Sequence, residues 1–205
     1  MTKTTAAQLE VLSHHYSETF ELLKSDVAKR DRLFLYLLIM IFILLFYMTA
    51  PTAVIDWLNA FITNQAGNLG KIPVPNLIDI SFINVALSLC LLSLAHTYFQ
   101  TVLHVERQYG YVYELEKQLS QHFDELAFIR EGKFYRSRRH LFSRWTTVIF
   151  WGLFPSLFLL FNVIWLIFLL RIPGAPVGYK IIESLISVCI LISLVLYFWA
   201  LRKKN

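Results

Sequence analysis

Six histidines are the first side chains to weigh for chemistry: His14, His15, His96, His104, His122 and His140. His14 and Glu18 lie one helical turn apart, a spacing that can hold a metal, although an exposed helix face is the plainer reading. His96 falls near the inner end of an apolar run, where an interfacial hydrogen bond suits it. No His-Glu-x-x-His occurs, no glycine-rich phosphate loop, and no Ser in a nucleophile elbow. Cys90 and Cys189 both sit inside apolar runs and read as small buried hydrophobes. The residues therefore predict no catalytic, cofactor or metal site, and a chain that is not an enzyme.

Other polar groups fall in or beside long apolar stretches. Ion-coupled transporters carry ionisable side chains deep in the membrane, and here none falls mid-span. Asp79 and Glu183 come at the outer ends of the second and fourth apolar runs, near Lys180 and Arg171. A surface ion-pair cluster is one reading. A ring of carboxylates at the mouth of an oligomeric pore is the other. Asn84 and Asn162 are uncharged groups that can hydrogen-bond neighbouring helices.

The elements that must position these groups are membrane spans. Trp145–Leu170 is 26 residues without Asp, Glu, Lys or Arg. A hydrocarbon core takes about 20 apolar residues of helix, and a helix satisfies its own backbone there. Leu33–Ala50, Ile80–Tyr98 and Ser184–Leu201 complete four spans. Only 16% of the residues are charged, against about 25% in a soluble domain, so no soluble second domain fits. The first 32 residues are polar, which argues against a cleavable signal. The expected class is an all-α membrane protein of four transmembrane helices, extended by amphipathic cytosolic helices.

Those extensions carry apolar stripes. Leu9, Leu12, Tyr16, Phe20, Leu23 and Val27 recur at spacings of three and four, one helical face. Thr5 and Gln8 fit a capping box. Nothing breaks the helix before the first span. Past Tyr98 a second cytosolic helix keeps the same spacing at Val102, Val105, Tyr109, Val112, Leu119, Phe123 and Leu126, with one break where Glu116 takes the place beside Leu115. Either stripe packs on its own protein or meets a partner. Gly132 marks a tight reversal. Arg130, Lys133, Arg136, Arg138, Arg139 and Arg144 then form a basic cluster. It suits anchoring to anionic inner-leaflet lipid, or docking an acidic partner, while no direct contact with nucleic acid is expected.

Inside the spans, Ala86, Cys90, Ser93 and Thr97 make a stripe of small residues that lets helices approach closely. Gly152 and Ser156 form a second small pair, with Pro155 a source of a kink. Val54, Trp57, Leu58, Phe61 and Ile62 predict a short interfacial helix after the first span. Gly67, Gly70, Pro73 and Pro75 make the return loop. Pro173-Gly174-Ala175-Pro176 predicts the outer turn of the second hairpin.

Lys and Arg distribute unevenly. Residues 1–32, 96–144 and 202–205 hold 16 of them, and the loops 51–79 and 171–183 hold 3. The positive-inside rule then places both termini in the cytosol of a bacterial inner membrane. The layout is a cytosolic helix (1–32), a first hairpin (33–98, outer loop 51–79), a cytosolic helix, turn and basic cluster (99–144), a second hairpin (145–201) and a basic tail (202–205).

This layout resembles the small four-span membrane subunit of the Kiwa anti-phage defence system. The likeness lies in the polar N-terminal helix, inward termini, long central cytosolic segment and minimal outer loops. ERQYGYVYELEKQL (106–119) and FIREGKFY (128–135) are also similar to stretches of small bacterial membrane proteins. The resemblance implies a homo-oligomer, a tetramer among the counts it allows, that senses at the membrane with a cytosolic, DNA-binding partner. The leading expectation is a non-enzymatic sensor or scaffold recruiting such a partner. The alternative is an oligomeric channel that depolarises the membrane.

Overall fold

A computed structural model describes residues 6–67, 80–121, 145 and 148–202. Regular structure among them is helical. Helix α1 runs Ala6–Thr49, α2 Pro51–Gly67 and α3 Ile80–Ser120. A π-helical turn, Ile149–Leu153, leads into α4, Phe154–Leu170, and α5 is Val177–Arg202.

Three helices, α1, α3 and α5, are long and apolar enough to cross a bilayer. Helix α4 is apolar but has 17 residues, at the short edge of what spans a hydrocarbon core. Leu35, Phe42 and Phe46 on α1, Leu160 on α4, and Leu185, Val195 and Trp199 on α5 are exposed. Apolar surface on this scale needs a cover, and acyl chains supply one. The chain is an all-α membrane protein.

Helix α1 has 44 residues, about 66 Å at 1.5 Å per residue, roughly twice a hydrocarbon core. No Gly or Pro interrupts it between Val27 and Leu33, so its charged and apolar parts share one helix. It stops at Thr49 because Pro51 disfavours helical backbone at Ala50. Pro51 then opens α2, where its missing N–H costs nothing.

Pro155 has a different effect. It has no N–H for the Trp151 carbonyl, and its ring crowds that carbonyl. The chain answers with the π turn, in which the Phe154 N–H reaches back five residues to the Ile149 oxygen. The turn before α5 includes Gly174 at φ +73°, a backbone that glycine adopts without strain.

The helices contribute to two compact units. One draws on Met1–Leu33, Tyr98–Leu157 and Tyr197–Asn205. Its seam joins α1 to α3 through buried Leu23, Val105 and Val112, with Tyr16, Phe20 and Val27 packed on them. Each fully buried aliphatic stabilises the seam by about 1.5–3 kcal/mol. Tyr98, Phe99, Phe154 and Tyr197 add a ring cluster with centroids 4.8 to 5.6 Å apart. The Arg30 guanidinium lies over the Phe150 ring at 5.5 Å.

The other unit draws on Phe34–Thr97 and Phe158–Leu196. Each long helix turns one stripe inward. On α1 it is Leu37, Met40, Leu44 and Tyr47, and on α3 Asn84, Ser88, Leu91 and Ala95. Helix α4 buries Phe158, Asn162, Trp165 and Leu169, and α5 buries Tyr179, Glu183, Ser187, Ile190 and Leu194. Tyr47, Trp165 and Phe168 pack ring on ring, with centroids 5.6 to 6.3 Å apart.

Several expectations need correction. Cys90 and Cys189 are exposed, not buried, because both lie on the outward faces of their helices. Cys90 and Ser93 therefore face away from the other described helices, which leaves packing of the stripe between protomers untouched, and Ala86 and Thr97 are half-buried. Ser156 is exposed, and a Cβ added at Gly152 would meet nothing within 4 Å among the described residues. Tyr109 is exposed, while Leu115 and Glu116 both turn inward. Helix α5 starts seven residues before Ser184.

Candidate functional site

The polar groups that matter lie inside the second unit. Asn84 and Ser88 are one turn apart on α3, and Glu183 and Ser187 one turn apart on α5. Asn162 and Trp165 share a face of α4. All six are buried. Burying polar atoms among apolar side chains is costly unless they bond to one another.

They largely do. The Trp165 indole donates to the Ser88 hydroxyl at 3.0 Å. Ser88 lines the same small cavity as the Glu183 carboxyl. The Ser187 hydroxyl donates to Asn162 Oδ1 at 2.7 Å. One turn toward the start of α3, Asn84 Nδ2 donates to the Tyr179 hydroxyl at 3.1 Å. Three apolar helices are thus tied by an inlay of side-chain hydrogen bonds. Four atoms of this unit are buried without a hydrogen-bond partner among the described residues: the Tyr47 hydroxyl, Asn84 Oδ1, Asn162 Nδ2 and Glu183 Oε1. Asn162 and Glu183 line that small cavity with Ser88, Trp165 and Ser187.

Glu183 is 1% exposed. The surface ion pair expected for it is therefore absent, and no Lys or Arg faces it among the described residues. Asn84 and Asn162 do bond neighbouring helices. His96 Nδ1 lies 3.3 Å from the Ser193 hydroxyl. The sequence reading missed Ser88, Trp165, Tyr179 and Ser187. The signal was there in part: Asn84 with Ser88, and Glu183 with Ser187, repeat a polar residue after one helical turn.

The first unit holds a polar set of its own. Tyr16 donates to Glu116 Oε1 at 3.1 Å. Gln108 Nε2 donates to Asp26 Oδ2 at 2.7 Å, and His104 Nε2 lies 3.4 Å from the same oxygen. His15 Nε2 and the Tyr111 hydroxyl are 2.8 Å apart. His14 and Glu18 form an exposed contact at 3.6 Å, and no group of three or more His, Cys, Asp or Glu gathers among the described residues. Of the α1 and α3 stripes, Leu23, Val105, Val112 and Leu119 are buried, while Leu9, Leu12, Tyr16, Phe20 and Val27 are half-buried. Asp79 and the basic cluster Arg130, Lys133, Arg136, Arg138, Arg139 and Arg144 lie outside the described residues, as do Phe123, Leu126 and Gly132.

Protein-family models, curated proteins and solved structures contain no match to this chain.

Proposed function

We propose that this chain is a non-enzymatic, homo-oligomeric sensor or scaffold of a bacterial inner membrane that recruits a cytosolic partner. The observation that carries this reading is the pairing of α1 with α3. Both helices are far longer than a membrane crossing needs. Their charged stretches are joined by an apolar seam and by the Tyr16–Glu116 bond. A device of this kind holds two rods in fixed register outside the lipid. Val11, Leu22 and Tyr111 remain exposed on them, where a second protomer or a partner can cover them.

In this reading α4 and the π turn before it make the third of four crossings, and both termini are cytosolic. The basic cluster at 130–144 rests on anionic lipid beneath the docked partner. The resemblance to the Kiwa membrane subunit supports a role in anti-phage defence and a DNA-binding partner. Exchange of Leu12 and Phe20 for Asp tests it. The double variant should still insert into membranes but lose oligomerisation, partner capture and protection against phage. Wild-type behaviour in all three would overturn the reading.

The second reading is an oligomeric channel, favoured by the buried Asn84, Asn162 and Glu183. Purified protein that releases a trapped ion from liposomes, and a chain toxic when expressed alone, would select it over the scaffold.

A further inference from the structure

The leftover atoms of the inlay point to a ligand. Ser88 on α3, Asn162 and Trp165 on α4, and Glu183 and Ser187 on α5 surround a cavity of about 10 Å³. That is the room of one water molecule. Asn162 Nδ2 is a donor and Glu183 Oε1 an acceptor, each without a partner among the described residues, in side chains 1% exposed. A water between them accepts from the amide and bonds the carboxyl. Its remaining bond has the Ser187 hydroxyl within the same walls.

The charge needs an answer too. Glu183 is the single titratable group among the residues lining the cavity. The phenol of Tyr179 on α5 takes its hydrogen bond from Asn84 rather than from Glu183, and neither it nor Tyr47 on α1 lines the cavity. Neither α3 nor α4 presents a charged side chain to the cavity. An unbalanced carboxylate in hydrocarbon surroundings is too costly to persist. A metal ion fits the site poorly, because Glu183 is the one carboxylate among the lining residues and a hard cation takes about six oxygen ligands.

We propose that this cavity is a proton-binding site, in which one water bridges Asn162 and Glu183 and the Glu183 carboxyl carries the proton. The Ser88 hydroxyl, held from behind by the Trp165 indole, walls the cavity on the α3 side. This site stands independently of the scaffold reading, since it asks nothing of a partner or of oligomerisation.

The test uses the full chain in lipid nanodiscs at neutral pH. Infrared spectra should show the carbonyl band of a protonated carboxylic acid, shifted in heavy water and absent from Glu183→Gln. That variant replaces one neutral group by another and should melt within about 4 °C of wild type. Exchanging choline chloride for sodium chloride should leave the wild-type melting temperature unchanged. A missing band overturns the proposal. So does stabilisation by sodium that Glu183→Gln loses, because the cavity then holds a metal cation. Should Glu183→Gln fail to fold, Ser88→Ala decides: removing a hydroxyl from the wall of the cavity must move the acid band, and an unmoved band belongs to another residue.

Discussion

The Tyr16 hydroxyl donates to Glu116 Oε1 at 3.1 Å across one hundred residues of chain. Glu116 is buried at 3% exposure in the α1–α3 seam, beside positions where aliphatic side chains do the packing. A buried polar pair of this kind adds little net stability against an apolar replacement, but it penalises any register that parts it. Sliding α3 by one turn would put Val112 or Ser120 opposite Tyr16 and strand the carboxylate.

The first prediction separates these two roles. Tyr16→Phe removes one hydrogen bond to a charged group, worth about 1.5–3 kcal/mol, and should lower the melting temperature in detergent. Glu116→Leu should melt at or above wild type, because the seam is apolar around it. Its rods should, however, cross-link in more than one register when cysteines are placed on α1 and α3. A single register in Glu116→Leu would show that the aliphatic seam alone sets the alignment.

Much of this unit was legible in the sequence. Leu23, Val105 and Val112 follow from spacing alone, and the unbroken α1 from the lack of Gly or Pro after Val27. Glu116 was visible as a break in the stripe, but a break does not say which way the side chain turns. Only its partner on a distant helix decides that. The same holds for Cys90 and Ser93. Small residues at helical spacing mark a face, yet whether that face meets its own chain, another copy or lipid depends on the other stripes. On α3 the stripe of Asn84, Ser88, Leu91 and Ala95 won the interior. Glu183 was misread for a related reason. Its neighbours in sequence, Lys180 and Arg171, suggested a surface, while its neighbours in space are Ser88 and Asn162.

The second prediction concerns the inlay. Ser88→Ala strips the partner from the Trp165 indole, and a stranded buried group costs about 1–3 kcal/mol. Trp165→Phe in the same chain removes that stranded group. A double-mutant cycle on melting should therefore find the pair less damaging than the sum, with a coupling of about 0.5–3 kcal/mol. Strict additivity would mean that the Trp165–Ser88 bond contributes nothing to stability.

The third prediction addresses sidedness. Trp57 on α2 is exposed and belongs to the loop with few basic residues, whereas Lys24 on α1 is exposed on the polar rod. In a chain whose native cysteines are replaced by Ser, a cysteine at 57 should react with a membrane-impermeant maleimide in cells with a permeabilised outer membrane. A cysteine at 24 should react only after the inner membrane is opened. The reverse order would invert the topology drawn from the 16-to-3 charge asymmetry.

The last prediction asks what the outward stripe on α3 is for. Cys90 and Ser93 are exposed, and Thr97 spends its hydroxyl on the Ser93 carbonyl at 2.8 Å, which leaves a smooth, small-sided face. Lipid covers such a face without difficulty, but it gains more from a helix that can come close. In an oligomer built on this face, Cys90 of one protomer lies near Cys90 of the next. Mild oxidation of membranes should then give a disulfide-linked dimer that survives in Cys189→Ser and disappears in Cys90→Ser. Ser93→Leu, one turn away, should reduce the cross-link by holding the backbones apart while leaving the melting temperature of the protomer unchanged, because no internal packing depends on that side chain. A cross-link that follows Cys189 instead would move the interface to α5, and a chain that remains monomeric by mass in lipid nanodiscs would leave the stripe to lipid alone.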